Sequence, residues 1–139
     1  MNIAVNINYW AVLVCGIASM AVGFLWYGHL FGKMWISMMK FDKKKMEEAM
    51  KKGMGKTYAL AFVSALVSAF ILAHFIRYAG AETAMDGVLL GVMVWLGFFA
   101  TTMLGMVFWE GKPFRLYLLN VSHYLVILAI NSVILTVWV

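Results

Sequence analysis

TTMLGMVFWEGKPFRLYLLNVSHY, residues Thr101–Tyr124, carries the end of one apolar run, a tight basic turn at Trp109–Arg115 and the opening of a second apolar run. Two membrane crossings joined by a hairpin account for that order. A bilayer core about 30 Å thick needs roughly 20 apolar residues of helix to cross it. Four runs reach that length, at about 8–31, 57–78, 84–108 and 114–138. The predicted fold is an all-α integral-membrane four-helix bundle. It forms a single transmembrane domain over residues 1–139, with one cytoplasmic loop at about 32–56.

Composition points the same way. The chain is 65% apolar and 12% charged, with a mean hydropathy of +0.90, whereas soluble domains carry roughly 45–50% apolar and about 25% charged residues. Met1–Asn8 has no Lys or Arg, and the apolar run behind it is too long for the core of a signal peptide. The first run is therefore expected to stay as a span. A single cysteine, Cys15, excludes an internal disulfide and any multi-cysteine zinc site. The sequence contains no phosphate-binding glycine loop, zinc-helix motif or nucleophile elbow.

The net charge of +5 is placed in a way that speaks of orientation rather than of nucleic acid. Eight lysines lie between Lys33 and Lys56, Lys112 and Arg115 lie in the last hairpin, and only Arg77 falls on the other side. By the positive-inside rule both basic loops are expected in the cytoplasm and both termini outside, in the cell membrane. So strong a bias argues against an antiparallel dual-topology dimer. Within the first loop, KKKMEEAMKK sets Lys43–Glu47, Lys44–Glu48, Glu47–Lys51 and Glu48–Lys52 at i,i+4. A short amphipathic helix is predicted there, capped by Asp42 and stopped at Gly53, with Met46, Ala49 and Met50 on its apolar edge. Its lysines, over Lys43–Lys56, are expected to reach anionic lipid headgroups.

Packing faces are legible as small residues at helical spacing. Gly16, Ser19 and Gly23 share a face with Tyr27 in the first span; Ala61, Ala65, Ala69 and Ala73 form a ladder in the second; Gly87, Gly97, Thr101 and Gly105 share a side of the third, a groove wide enough for a neighbour or a small ligand. Trp95, near mid-membrane, is expected to fill a gap. FLWYGHLFGKMW, Phe24–Trp35, holds Gly28 and Gly32 one turn apart, so the first helix is expected to break or bend near the inner surface.

The last span holds the strongest chemical signal. Taking 100° per residue from Asn120, the residues Tyr117, His123, Tyr124 and Asn131 fall within about 60° of it, one polar stripe on an apolar helix. His123 is about 14 Å into the core, counting helical rise from Phe114. An ionisable residue at that depth is a functional hypothesis by default. Asn and His also join helices through hydrogen bonds without any ligand, and both readings stand at this point.

The candidate ligand-binding set is Thr101, Asn120, His123, Tyr124 and Asn131, with Glu110 at the basic turn, where pairing with Lys112, Arg115 or Lys33 competes with proton binding. No catalytic residue and no metal ligand is assigned, and the cofactor is left open. His29 reads as an interfacial residue and His74 as one facing headgroups or lipid. A bis-histidine haem within one subunit fails on arithmetic: His74 is about 25 Å and His123 about 14 Å from the inner ends of their helices, and axial ligands share one depth. A site shared between subunits through His123 stays open.

LWYGHLFGKMW at Leu25–Trp35, MGKTYALAF at Met54–Phe62, VWLGFFATTML at Val94–Leu104 and FWEGKPFRLYLLNVSHYLV at Phe108–Val126 resemble a family of small four-helix bacterial and archaeal membrane proteins classed as a domain of unknown function. The resemblance covers nearly the whole chain. It implies a topology and no activity, and it weakens any role for His29, where members often have proline. The leading functional expectation is a small permease, channel or small-molecule binder working as a homo-oligomer, since four short spans make a thin pore wall. The alternative is a structural or accessory membrane subunit. A membrane enzyme, or a haem- or quinone-binding protein, comes third, because no nucleophile–base pair or metal cluster can be read from spacing. Absence of a midplane Asp or Glu argues against a proton-driven exporter of the small multidrug type.

Overall fold

A computed structural model describes residues 5–39 and 43–139. Four of its helices are long and apolar enough to cross a membrane, as expected of a membrane protein: α1 (Tyr9–Leu30), α4 (Gly55–Ala79), α5 (Ala84–Phe108) and α6 (Phe114–Val137). Their ends fall within two residues of the spans read from the sequence. Two shorter helices, α2 (Gly32–Met39) and α3 (Lys43–Lys52), lie between α1 and α4. The predicted α3 cap, Asp42, lies outside the described residues, as does the side chain of Met46.

Local chemistry sets the helix ends. Asn8 Oδ1 accepts hydrogen bonds from Trp10 N at 3.0 Å and Ala11 N at 3.2 Å, covering two of the free donors at the start of α1. At the end of α4, Gly80 takes φ +68°, which only glycine adopts without strain, and the Ala81 N–H closes back on Ile76 O at 3.2 Å. Thr83 and Asp86 then form a reciprocal capping box, with Asp86 N to Thr83 Oγ1 at 3.1 Å and Thr83 N to Asp86 Oδ2 at 2.9 Å. Pro113 immediately precedes α6, one position earlier than the first helical turn expected for it, and its fixed φ leads the chain into Phe114.

The bundle is a hub rather than a ring. α6 packs against α1, α4 and α5, and against α2 at the end that carries the basic loops; α4 otherwise packs on α1, and α5 mainly on α6. α6 is the most buried of the four long helices. The main core joins Ala11 and Cys15 of α1, Ala69, Leu72, Ala73 and Ile76 of α4, and Leu128 and Leu135 of α6. The alanines there are half of the ladder read from the sequence. The other half of α4 differs: Ala61 and most of Gly55–Ser64 are exposed, so the small face is used only toward the terminus end.

Two glycines draw α5 onto α6. A Cβ built on Gly87 would stand 2.7 Å from Thr136 Oγ1 and 2.8 Å from Ser132 O; one on Gly91 would stand 2.7 Å from Ser132 Oγ and 2.9 Å from Leu128 O. No real side chain fits at those distances. This is the small-xxx-small approach of membrane helices, and it places glycine Cα–H groups against carbonyl and hydroxyl oxygens. Gly97 and Thr101, expected on the same side as Gly87, are exposed instead.

Both α1 and α5 contain a π-helical turn, Leu25–Leu30 and Trp95–Ala100. In the first, Phe31 N donates to Trp26 O at 3.0 Å, an i→i+5 bond, after which Phe31 leaves helical geometry and α2 begins. This is the break expected near Gly28 and Gly32, and a Cβ on Gly32 would stand 2.9 Å from Tyr27 O. Each turn contains one glycine, Gly28 or Gly97, which weakens the α-helical register and lets it widen.

Candidate functional site

Ser19, Gly23 and Tyr27 follow one another at four-residue spacing, so they share a face of α1. They meet α6 in antiparallel register. Asn131 Nδ2 donates to Ser19 Oγ at 3.0 Å, and the Ser19 hydroxyl donates onward to Cys15 O at 2.8 Å. Tyr27 donates its phenolic proton to Asn120 Oδ1 at 2.8 Å. Between these two bonded rungs Gly23 faces His123, and a Cβ there would stand 3.7 Å from Nε2, an ordinary contact.

Two tryptophans hold α6 just below that point. Trp26 Nε1 donates to Leu119 O at 3.0 Å and Trp95 Nε1 donates to Val121 O at 2.7 Å. Carbonyls two residues apart lie about 200° apart around a helix, so α1 and α5 grip α6 from opposite sides at nearly one depth. A carbonyl has two lone pairs and can take an indole proton beside its helical bond. Trp95 thus does more than fill a gap. Tyr117 adds a third tie, donating to Ala100 O at 2.6 Å.

His123 is 7% exposed and sits among rings. Its centroid lies 4.9 Å from that of Tyr27, 5.0 Å from Tyr124 and 6.3 Å from Trp26. Beyond them, Trp35 lies against Tyr27 at 5.1 Å, Phe31 against Trp26 at 4.9 Å and Phe99 against Tyr124 at 5.0 Å. Neither ring nitrogen of His123 has a hydrogen-bond partner among the described residues. A buried polar atom without a partner costs about 1–3 kcal/mol, and here there are two on one ring.

Of the candidate residues, His123 and Tyr124 are in ring contact, and Asn120 is linked to His123 through Tyr27, which bonds the amide and packs on the imidazole. Asn131 lies more than two turns further along α6, tied to Ser19. Its Oδ1 is buried without a partner, as is Ser132 Oγ, which faces Gly91. Thr101 does not join them: it is exposed, and its hydroxyl donates to Gly97 O in its own helix at 2.8 Å. Glu110 is exposed in the basic turn. His29 is exposed, and His74 is half-buried, its Nδ1 donating to Phe70 O at 2.8 Å. No group of three or more His, Cys, Asp or Glu able to hold a metal occurs among the described residues.

The residues missed by sequence reasoning are the partners on α1 and α5. Gly23 and Tyr27 carried a signal, their shared face, and Gly87 and Gly91 carried one in their four-residue spacing; Trp26, as a contact with α6, carried none in one sequence. The Tyr27–Asn120 bond has a direct test. Tyr27→Phe and Asn120→Leu, alone and combined, are expected to show a coupling of about 0.6–1.7 kcal/mol in thermal melts in detergent, the range of membrane hydrogen bonds. Strict additivity would mean that the bond does not form.

A family model described as protein of unknown function, DUF1761, matches residues 10–136. The chain belongs to that family. The match runs from the start of α1 to the last turn of α6, so the hub, both π-helical turns and the His123 surround all lie inside it. No curated protein and no solved structure matches the chain.

Proposed function

We propose that this is a small-ligand protein of the cell membrane whose site is centred on His123. One observation carries the reading: Tyr27 bonds Asn120, and Trp26, Trp95 and Tyr117 bond carbonyls of a neighbouring helix, whereas His123 is buried with neither nitrogen bonded to a described residue. Asn120, Asn131 and the tryptophans serve assembly. An unbonded imidazole serves assembly poorly, because it costs stability without joining anything. A partner from outside the chain removes that cost.

The charge pattern supports an orientation with the basic loops in the cytoplasm and both termini outside. Residues 47–52 of α3 are exposed, which leaves Lys51 and Lys52 free to lie on anionic headgroups. Binding fits the geometry better than conduction through one subunit, since the central position is taken by α6 itself. A permease or channel of this chain would conduct between copies, in a homo-oligomer.

Native mass spectrometry of protein released gently from its own membrane tests the reading. The wild type is expected to carry a small-molecule adduct distinct from phospholipid, and His123→Leu to carry none. An adduct retained by His123→Leu, or none on either protein, would overturn the site.

A further inference from the structure

Arg77 is the one Lys or Arg at the end of the bundle that carries the termini, and it is half-buried in the last turn of α4. Beside it lies an open groove of about 560 Å³, lined by Val5, Asn6, Ile7 and Asn8 ahead of α1, by Arg77 and by Val139. A volume of that order suits a small ligand. We propose that this groove binds a phosphate-type oxyanion, held by the Arg77 guanidinium and by the side-chain amides of Asn6 and Asn8. The site lies apart from His123 and stands or falls independently of it.

The guanidinium makes no hydrogen bond or ion pair among the described residues, so its planar fork of five donors is unspent. That fork matches two oxygens of a phosphate at once. Asn8 spends only its Oδ1, on Trp10 N and Ala11 N, which leaves the two donors of its Nδ2 free. Asn6 is exposed and its side chain is likewise unbonded among the described residues. Ile7, between them, packs on the main core and so fixes both amides beside α4. None of the lining residues is Asp or Glu. The positive end of the α1 dipole opens at Asn8 and adds to the attraction for an anion. The dipole of α4 favours a cation in its last turn, which accounts for Arg77 alone and not for the donors gathered opposite it. Depth narrows the anion. Tyr9 and Trp10 are 70% and 71% exposed at this same end, and aromatic side chains of that kind mark the headgroup level, where lipid phosphates lie. A lipid phosphodiester and a soluble phosphate share the chemistry that the groove recognises.

The chain has two arginines, and the other, Arg115, lies in the basic turn at the opposite end of the bundle. Protein labelled with ¹⁵N-arginine in phosphate-free dodecyl maltoside therefore gives two Nε resonances, with that of Arg77 assigned by its loss in Arg77→Gln. The probes are inorganic phosphate and dihexanoyl phosphatidylglycerol; sodium chloride at matched ionic strength and dihexanoylglycerol are the controls. Arg77 is expected to shift saturably with at least one of the two probes, while Arg115 follows ionic strength alone. A response to the lipid only assigns the headgroup, a response to inorganic phosphate assigns a soluble anion, and either upholds the site. Asn8→Asp keeps the cap of α1 but puts a negative charge where the donor was, and is expected to weaken binding about tenfold or more. Asn6→Leu, outside every helix, is expected to weaken it in the same direction. No saturable shift with either probe, equal movement of Arg77 and Arg115, or undiminished binding by both variants would overturn the proposal. So would binding confined to a chain extended past Val139, because the Val139 carboxylate would then be the anion that Arg77 holds.

Discussion

Gly91→Leu is expected to prevent α5 from docking on α6, leaving a protein that reaches the membrane but aggregates on extraction in mild detergent. Even Gly91→Ala places a carbon 2.7 Å from Ser132 Oγ and 2.9 Å from Leu128 O. One of those atoms belongs to a rigid backbone, so the helices must part. Overpacking of this kind costs about 1–3 kcal/mol for a single methyl and more for a branched side chain. Because α5 packs mainly on α6, it has little other contact to fall back on. Gly97 provides the control: nothing lies within 4 Å of its built Cβ, and Gly97→Ala is expected to change stability by less than about 1 kcal/mol. Size-exclusion profiles and thermal melts of the three variants check the ordering. A Gly91→Leu protein that melts with the wild type would mean that the α5–α6 interface is not the one described.

The contrast between Gly91 and Gly97 also shows what a single sequence reveals. The lengths of the four helices were legible because the bilayer sets them and apolar runs report them directly. The polar stripe on α6 was legible because α6 is a regular helix throughout Phe114–Val137, so 100° per residue holds from Asn120 to Asn131. On α5 the same arithmetic fails. The π-helical turn Trp95–Ala100 takes up an extra residue, and every position beyond it is rotated relative to Gly87. That is why Thr101, set by spacing on the same side as Gly87, is exposed. A π turn leaves composition unchanged, so nothing in the apolar pattern announces it. Partner choice was equally hidden: Trp26 and Trp95 carry no sign of which carbonyl they reach, since that depends on how helices far apart in sequence come together.

His123→Leu is expected to raise the melting temperature of the ligand-free protein, while Asn120→Leu lowers it. The two residues lie on one stripe of one helix, yet the signs oppose. Asn120→Leu removes the acceptor of the Tyr27 hydroxyl. It leaves that hydroxyl without its partner in an apolar setting, a loss of about 0.6–2 kcal/mol. His123→Leu removes two unpartnered nitrogens and breaks no bond to the protein, so the desolvation cost of the ring, about 1–3 kcal/mol, is recovered. Differential scanning fluorimetry in a single detergent, after extensive delipidation, separates the cases. A destabilised His123→Leu would show that the ring is bonded within the protein and belongs with the asparagines as an assembly residue.

The hub position of α6 bears on how the protein is made. Synthesis proceeds from the N-terminus, so α1, α4 and α5 enter the bilayer before the helix on which they converge. Membrane helices insert first and associate afterwards. Until α6 arrives, Ser19, Gly23 and Tyr27 face lipid, Gly87 and Gly91 have nothing to pack on, and the indoles of Trp26 and Trp95 have no carbonyl to hold. α1 and α4 can pair as they emerge, but α5 has no main partner until α6 follows, and any delay in delivering α6 leaves those faces open to other proteins in the same bilayer.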